Sequence, residues 1–227
     1  MIRNVTGYRA ILAVMLVFPI VARAGLSTVQ LGPAGVVDTW IWSGDELSHG
    51  DQDTLYVNDM VSCDQRILIK FTDLTPLTGA KTITSATLGL FLADAAEGSL
   101  TLEVHRITGS WGEDVTWSAR PGFEDPAVTS SLVTAIYGDE AYDPYRLVTW
   151  NVTSLVQKWV VDNVENDGMA IYGEGTPGYQ LYVSSENVDG LPLPRLDVTF
   201  VPVPAPAGVL LGFLGLGVSG LKLRKFV

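Results

Sequence analysis

The 227-residue chain has one cysteine, Cys63. No disulfide can form within it, so the fold has to be held by its core and hydrogen bonds alone. Cys63 sits in VSCDQR beside Asp64, whereas a reactive thiol needs an electropositive setting; the residue reads as half-buried and structural. Only two histidines are present, His49 and His105. A zinc site takes three or four ligands, and no paired histidine spacing offers them. No G-x-S-x-G nucleophile elbow occurs either. Positive charge is scarce. Residues 25–201 hold all 25 Asp and Glu but only eight of the 14 Lys and Arg, a balance of −17. Such a surface repels phosphates, and no basic stripe offsets it, which excludes nucleic acid as a partner. It suits a soluble exported domain and leaves room for calcium.

The cations missing from the middle lie at the ends. Arg3 and Arg9 precede the apolar stretch AILAVMLVFPIV, and Ala22-Arg23-Ala24 then stands before Gly25. These are the parts of a secretory signal peptide, residues 1–24, cleaved between Ala24 and Gly25. The alternative is a retained membrane helix, for which twelve apolar residues are too few. The chain closes with VPVPAPAGVLLGFLGLGVSGLKLRKFV, in which Pro202, Pro204 and Pro206 alternate with small residues. The apolar run from Ala207 to Leu221 is about 22 Å long as a helix, short of the roughly 30 Å hydrocarbon core. Lys222, Arg224 and Lys225 would stay on the cytoplasmic side. This C-terminal hydrophobic helix is expected to hold an exported protein at the inner membrane until it is sorted. Gly208 and Gly212 form one GxxxG, which chance explains in a run with five glycines.

Between the ends, apolar residues alternate with period two. Ile67, Ile69 and Phe71 share a face, as do Ala86, Leu88, Leu90 and Leu92; Leu100, Leu102 and Val104; and Leu196, Val198 and Phe200. Each set marks a half-buried strand. VVDTWIWS, TLYV, RLVTWNV, MAIYG and YQLYVSS add five more. SLVQKWVVDN instead has helical spacing, with Leu155, Val156, Trp159 and Val160 on one side and an S-x-x-Q capping box at Ser154 and Gln157. About nine strands and one short helix in residues 25–201 predict an all-β sandwich, a single domain.

Several side chains are candidates for function. Trp40 and Trp42 share one side of a strand near Asp38 and Asp45; with Ile41 inward, they form a flat platform for sugar rings, and the alternative is a second buried layer of the sandwich. Asp45, Glu46, Asp51 and Asp53 are hard oxygen ligands for calcium, or simply a solvated acidic loop without EF-hand spacing. Trp111 and Trp117 flank another acidic stretch, where core packing weighs against sugar stacking. Glu113-Asp114 and Glu124-Asp125 offer the two acids of a glycosidase, though adjacent acids are expected in so acidic a chain.

The order DTWI, LYV, RILIKFTDL, ITSATLGLFL, VHRITGSWGEDVTWSARP, WNVTSLVQKWV, GMAIYG, YVSSEN, PRLDVTF resembles the DNRLRE domain, also described as disaggregatase-related, across residues 36–201. The tryptophan followed by acids and V-T-W-x-x-R-P is its most specific piece. The resemblance implies a jelly roll of the kind carried by secreted bacterial and archaeal proteins. Some members are classed as carbohydrate-binding modules, so it suggests polysaccharide binding, to an exopolysaccharide or cell-wall glycan. The tail, residues 202–227, resembles a PEP-CTERM sorting signal, with Pro204-Ala205-Pro206 where Pro-Glu-Pro is usual. That resemblance implies a sorting protease of the exosortase type, an inner-membrane-anchored intermediate, and final placement on the cell surface or in the matrix. The expectation is an exported, non-catalytic envelope module that binds polysaccharide. Its rivals are a structural surface or matrix protein without sugar specificity and a polysaccharide-cleaving enzyme.

Overall fold

A computed structural model describes residues 25–60, 63–96, 98–135, 145–173 and 178–203. Ala22 and Ala24 of the cleavage motif, Pro204 and Pro206, and the apolar run to Leu221 lie outside the described residues. Gly25 and Pro202 lie within them. Among the described residues no helix is long and apolar enough to cross a membrane.

The described strands are β1 (Ser27–Leu31), β2 (Val36–Trp42), β3 (Thr54–Met60), β4 (Cys63–Phe71), β5 (Ala80–Ala95), β6 (Gly98–Thr108), β7 (Gly122–Phe123), β8 (Thr129–Ala135), β9 (Arg146–Asn151), β10 (Met169–Gly173), β11 (Tyr179–Val183) and β12 (Arg195–Pro202), with one α-helix, α1 (Thr153–Val160). All pairings are antiparallel. They follow the path β1-β12-β5-β11-β3-β4-β10-β6-β7, with β2 on β4, β8 on β6 and β9 on β5. The sheet curls so that β1, β12, β5 and β9 form one half and β2, β4, β10, β6 and β8 the other, joined through β11 and β3. This is the expected all-β, jelly-roll type of sandwich.

Alternation explains why the halves close on each other. Leu88, Leu90, Leu196 and Val198 from one half share a fully buried core with Ile67, Ile69, Val104 and Ile171 from the other. Burying each such side chain contributes about 1.5–3 kcal/mol. Trp150 and Tyr182 meet edge to face at the centre, their ring centroids 6.0 Å apart.

The strand count exceeds the expected nine because β1, β7 and β8 carry too weak a pattern. β8, TSSLVTA, places only Val133 in the main core. The helix forms where expected, but without its capping box. Gln157 Oε1 accepts the Ile83 N–H at 2.8 Å instead, and Asn151 Oδ1 takes the Thr153 N–H and hydroxyl. Eight residues do not make a stable helix alone; Leu155, Val156 and Trp159 hold this one in the main core. At the C-terminal end β12 runs through Pro202, and the Val203 N–H donates to Gly79 O at 2.8 Å.

Candidate functional site

The tryptophan platform expected at Trp40 and Trp42 does not form. Trp40 is 6% exposed and packs in the main core. Its ring stacks on His49 at 3.7 Å, and its Nε1–H donates to Gln52 Oε1 at 3.0 Å. Trp42 is half-buried against the same core, its ring lying against Gly44. Asp38 is fully buried; its carboxylate accepts the Ser184 hydroxyl at 2.7 Å and the Ser185 N–H at 2.9 Å. Burial pushes its pKa up, against those two hydrogen bonds. The cause is that β2 is apolar on both sides. Trp40 points into the sandwich and Ile41 points outward, yet Ile41 is also buried, in a second cluster with Leu68, Ile107, Val115 and Ala170.

The four candidate calcium ligands are not brought together. Glu46 accepts the Ser118 N–H at 3.1 Å and hydroxyl at 2.5 Å, bonds that hold its carboxyl below the usual range. Asp45 accepts the Leu47 N–H at 3.2 Å, Asp53 accepts the Thr54 hydroxyl at 3.0 Å, and Asp51 is exposed. Among the described residues no three His, Cys, Asp or Glu side chains converge as metal ligands.

The stretch from Trp111 to Pro121 covers the second cluster. Val115 enters it, and Trp111, Trp117, Phe123 and Tyr172 pack around it. The Trp111 Nε1–H donates to Asp167 O at 2.6 Å, and Lys70 Nζ lies 5.1 Å from its ring centre. The Arg66 guanidinium sits 4.3 Å from Tyr172 and 5.2 Å from Trp117, while Arg120 lies 4.3 Å from Trp117. Both tryptophans of the motif therefore hold a loop onto a sheet. Beside it, Glu124 accepts two bonds from Arg106, at 2.9 and 3.1 Å, and one from Lys158 at 3.4 Å. Its hydrogen bond from Arg106 lowers its pKa to about 2. A group so acidic does not deliver protons near neutral pH.

The outward face of the other half is different. Register sets Gln30 opposite Asp197, Asp197 opposite Thr87, and Thr87 opposite Asn151, a polar rung across β1, β12, β5 and β9. The next rung runs Arg195, Gly89, Thr149, and beyond it Phe91 faces Leu147. Gln30 Nε2 donates to Asp197 Oδ1 at 2.6 Å, and the Thr28 and Thr199 hydroxyls meet at 3.1 Å. The Arg195 guanidinium lies 5.6 Å from the Phe91 ring centre. Gln30, Leu147, Thr149 and Asn151 are exposed. Period-two alternation marks the inward residues of these strands and says nothing of what the outward ones share. The available signal was one aromatic and one cation, Phe91 and Arg195, among the threonines. Neutral amides, hydroxyls and a carboxylate beside an aromatic ring can hydrogen-bond a hydroxyl-rich ligand and pack on its apolar surface.

No curated protein matches the chain. The sequence profile of carbohydrate-binding module family 96 matches residues 30–198, which spans the fold from β1 to β12. On that match, the chain belongs to carbohydrate-binding module family 96.

Proposed function

We propose that this chain is an exported, non-catalytic module that binds polysaccharide at the cell envelope. The family match across residues 30–198 carries the reading. Two further features support it. Glu124, one of the acids weighed for a glycosidase, is held ionised by Arg106 and Lys158. The N-terminal stretch ending Ala22-Arg23-Ala24 and the proline-rich, apolar, basic tail fit export followed by retention at the inner membrane and sorting by an exosortase-type protease.

Binding is tested with the full-length protein on immobilised hydroxyethyl cellulose, glucomannan and alginate, with reducing-end release followed in parallel. Retention on a glycan without new reducing ends is expected. Retention on none would leave a structural surface protein as the better description, and new reducing ends would make it an enzyme. Export is tested by the mature N-terminus, expected at Gly25, and by fractionating cells that lack residues 204–227. Release of the truncated form into the periplasm or medium is expected; identical fractionation would remove the tail's anchoring role.

A further inference from the structure

We propose that the cavity beside the C-terminal end of β12 is a docking groove for residues 204–206 of this same chain, and that docking shields those residues from proteolysis. The inference does not depend on glycan binding; it concerns how the start of the tail is presented to an enzyme that cuts it.

The first ground is the course of the chain. β12 runs antiparallel to β5 and places Pro202 opposite Ala80, and the Val203 N–H then donates to Gly79 O at 2.8 Å. The chain is thus still pairing with the segment that leads back from β5 into the 3-10 turn Thr75–Leu77. A cavity of about 400 Å³ opens there, lined by Leu74, Leu77, Thr78, Gly79, Trp159 and Val160 among others. Gly79, which accepts the Val203 bond, is itself part of the cavity wall, so residue 203 stands at the rim.

The second ground is what the next residues can do. Pro204 and Pro206 have no N–H, so neither can extend the ladder. Prolines at 202, 204 and 206 hold φ near −65° and keep the residues before them out of the helical region. Such a sequence favours polyproline II, whose carbonyls make no internal hydrogen bonds. At 3.1 Å per residue, residues 204–206 reach about 9 Å beyond Val203, which crosses a cavity of this volume. A segment already extended loses little entropy on docking, and aromatic-lined grooves take proline-rich peptides on that basis.

The third ground is Trp159. It is 6% exposed, and its Nε1–H is shielded from solvent with no acceptor among the described residues. A buried donor without an acceptor is costly, and a free carbonyl of a docked polyproline II segment would supply the oxygen. Leu74, Leu77 and Val160 give the pyrrolidine rings an apolar wall. None of the lining residues is charged, and neither are Pro204, Ala205 and Pro206. The cavity therefore matches this stretch in charge and polarity. Cutting within residues 204–206 would then track the undocked fraction, as proteolysis tracks an open state that recloses quickly.

The test uses full-length protein in detergent micelles, with isotope-labelled tryptophan. The Trp159 indole signal is identified by its loss in Trp159→Phe. Pro204→Gly, Ala205→Ser and Pro206→Gly together keep the tail's length and lie outside the core. They should move the Trp159 indole proton upfield, as a hydrogen bond is lost. Thr78→Trp fills the groove from an exposed position. It should make a proline-specific endoprotease cut after Pro204 or Pro206 at least about tenfold faster than in wild type. If either response is missing, the inference fails. A wild-type Trp159 signal that moves with protein concentration would give the groove to a second copy. One that moves on adding hydroxyethyl cellulose, glucomannan or alginate would give it to a glycan. Either result overturns the inference, and neither removes the polysaccharide-binding reading.

Discussion

The two outward faces of this sandwich are built from strands of similar length, and chain covers one while the other meets water. On β4 the residues pointing to the main core, Ile67, Ile69 and Phe71, are buried, and so is Leu68 between them. On β12 Leu196, Val198 and Phe200 are buried, while Asp197 and Thr199 are partly exposed. The difference lies in the loop from Trp111 to Pro121, which brings Val115 and two tryptophans down onto Leu68, Ile41 and Ala170. A strand that is apolar at both parities is covered on both faces. One that alternates leaves a face free for other work.

The largest effect should come from breaking the covered face. Leu68→Ala removes a fully buried side chain from a cluster of only five buried residues. It should destabilise the domain by about 2–5 kcal/mol, read as a lower urea midpoint. A loss below about 1 kcal/mol, typical of surface substitutions, would mean that the covering loop does not hold this face closed.

The same contrast decides what was legible in the sequence. Alternation gave the strands of the main core and the all-β class, because period-two burial leaves a direct trace in residue order. It failed at β2. VVDTWIW is apolar at both parities, so the pattern alone does not say whether Trp40 or Ile41 faces the main core, and both are buried. The signal for a second layer was present in Leu68, Ile41 and Ala170, but its cover comes from a loop some forty to seventy residues away from β4 and β2. The calcium alternative at the acidic loop fails for a similar reason. Residue order shows Asp45 and Glu46 as neighbours, while the fold gives Glu46 to Ser118. The open face left the weakest trace. A polar rung forms only once four strands are in register, and none of its members is unusual alone.

A smaller effect is expected from loosening the cover by one hydrogen bond. Trp111→Phe keeps a ring over the cluster but removes the Nε1–H that donates to Asp167 O. About 1 kcal/mol should be lost, the usual net value of one such bond. An unchanged urea midpoint would show that ring packing alone holds the loop.

A pH-dependent effect sharpens the comparison at the edge of the covered face. The pKa of Glu124 falls from an ordinary 4.5 to about 2 in the fold, through its hydrogen bond from Arg106. The folded state therefore favours the ionised form. The stability this contributes is present above pH 4.5 and is lost as pH falls towards 2. Glu124→Gln should melt below wild type at neutral pH, with the gap closing between pH 4.5 and 2. A gap that stays constant over that range would mean the ion pair with Arg106 and Lys158 contributes nothing to the fold.

The smallest effect should fall on the open face, and its smallness is what makes it informative. Gln30 is exposed on β1, which among the described residues is an edge strand paired with β12 alone. Its side chain makes one bond, to Asp197, and adds nothing to the main core. Surface substitutions of this kind usually change stability by less than about 0.5 kcal/mol, so Gln30→Ala should melt with wild type within a degree or two. The rung is then free to be selected for something other than folding. A melting loss as large as that of Leu68→Ala would show that Gln30 and Asp197 bind β1 to the sheet. The open face would then be part of the domain's stability, as the covered face is, and the contrast between the two would disappear.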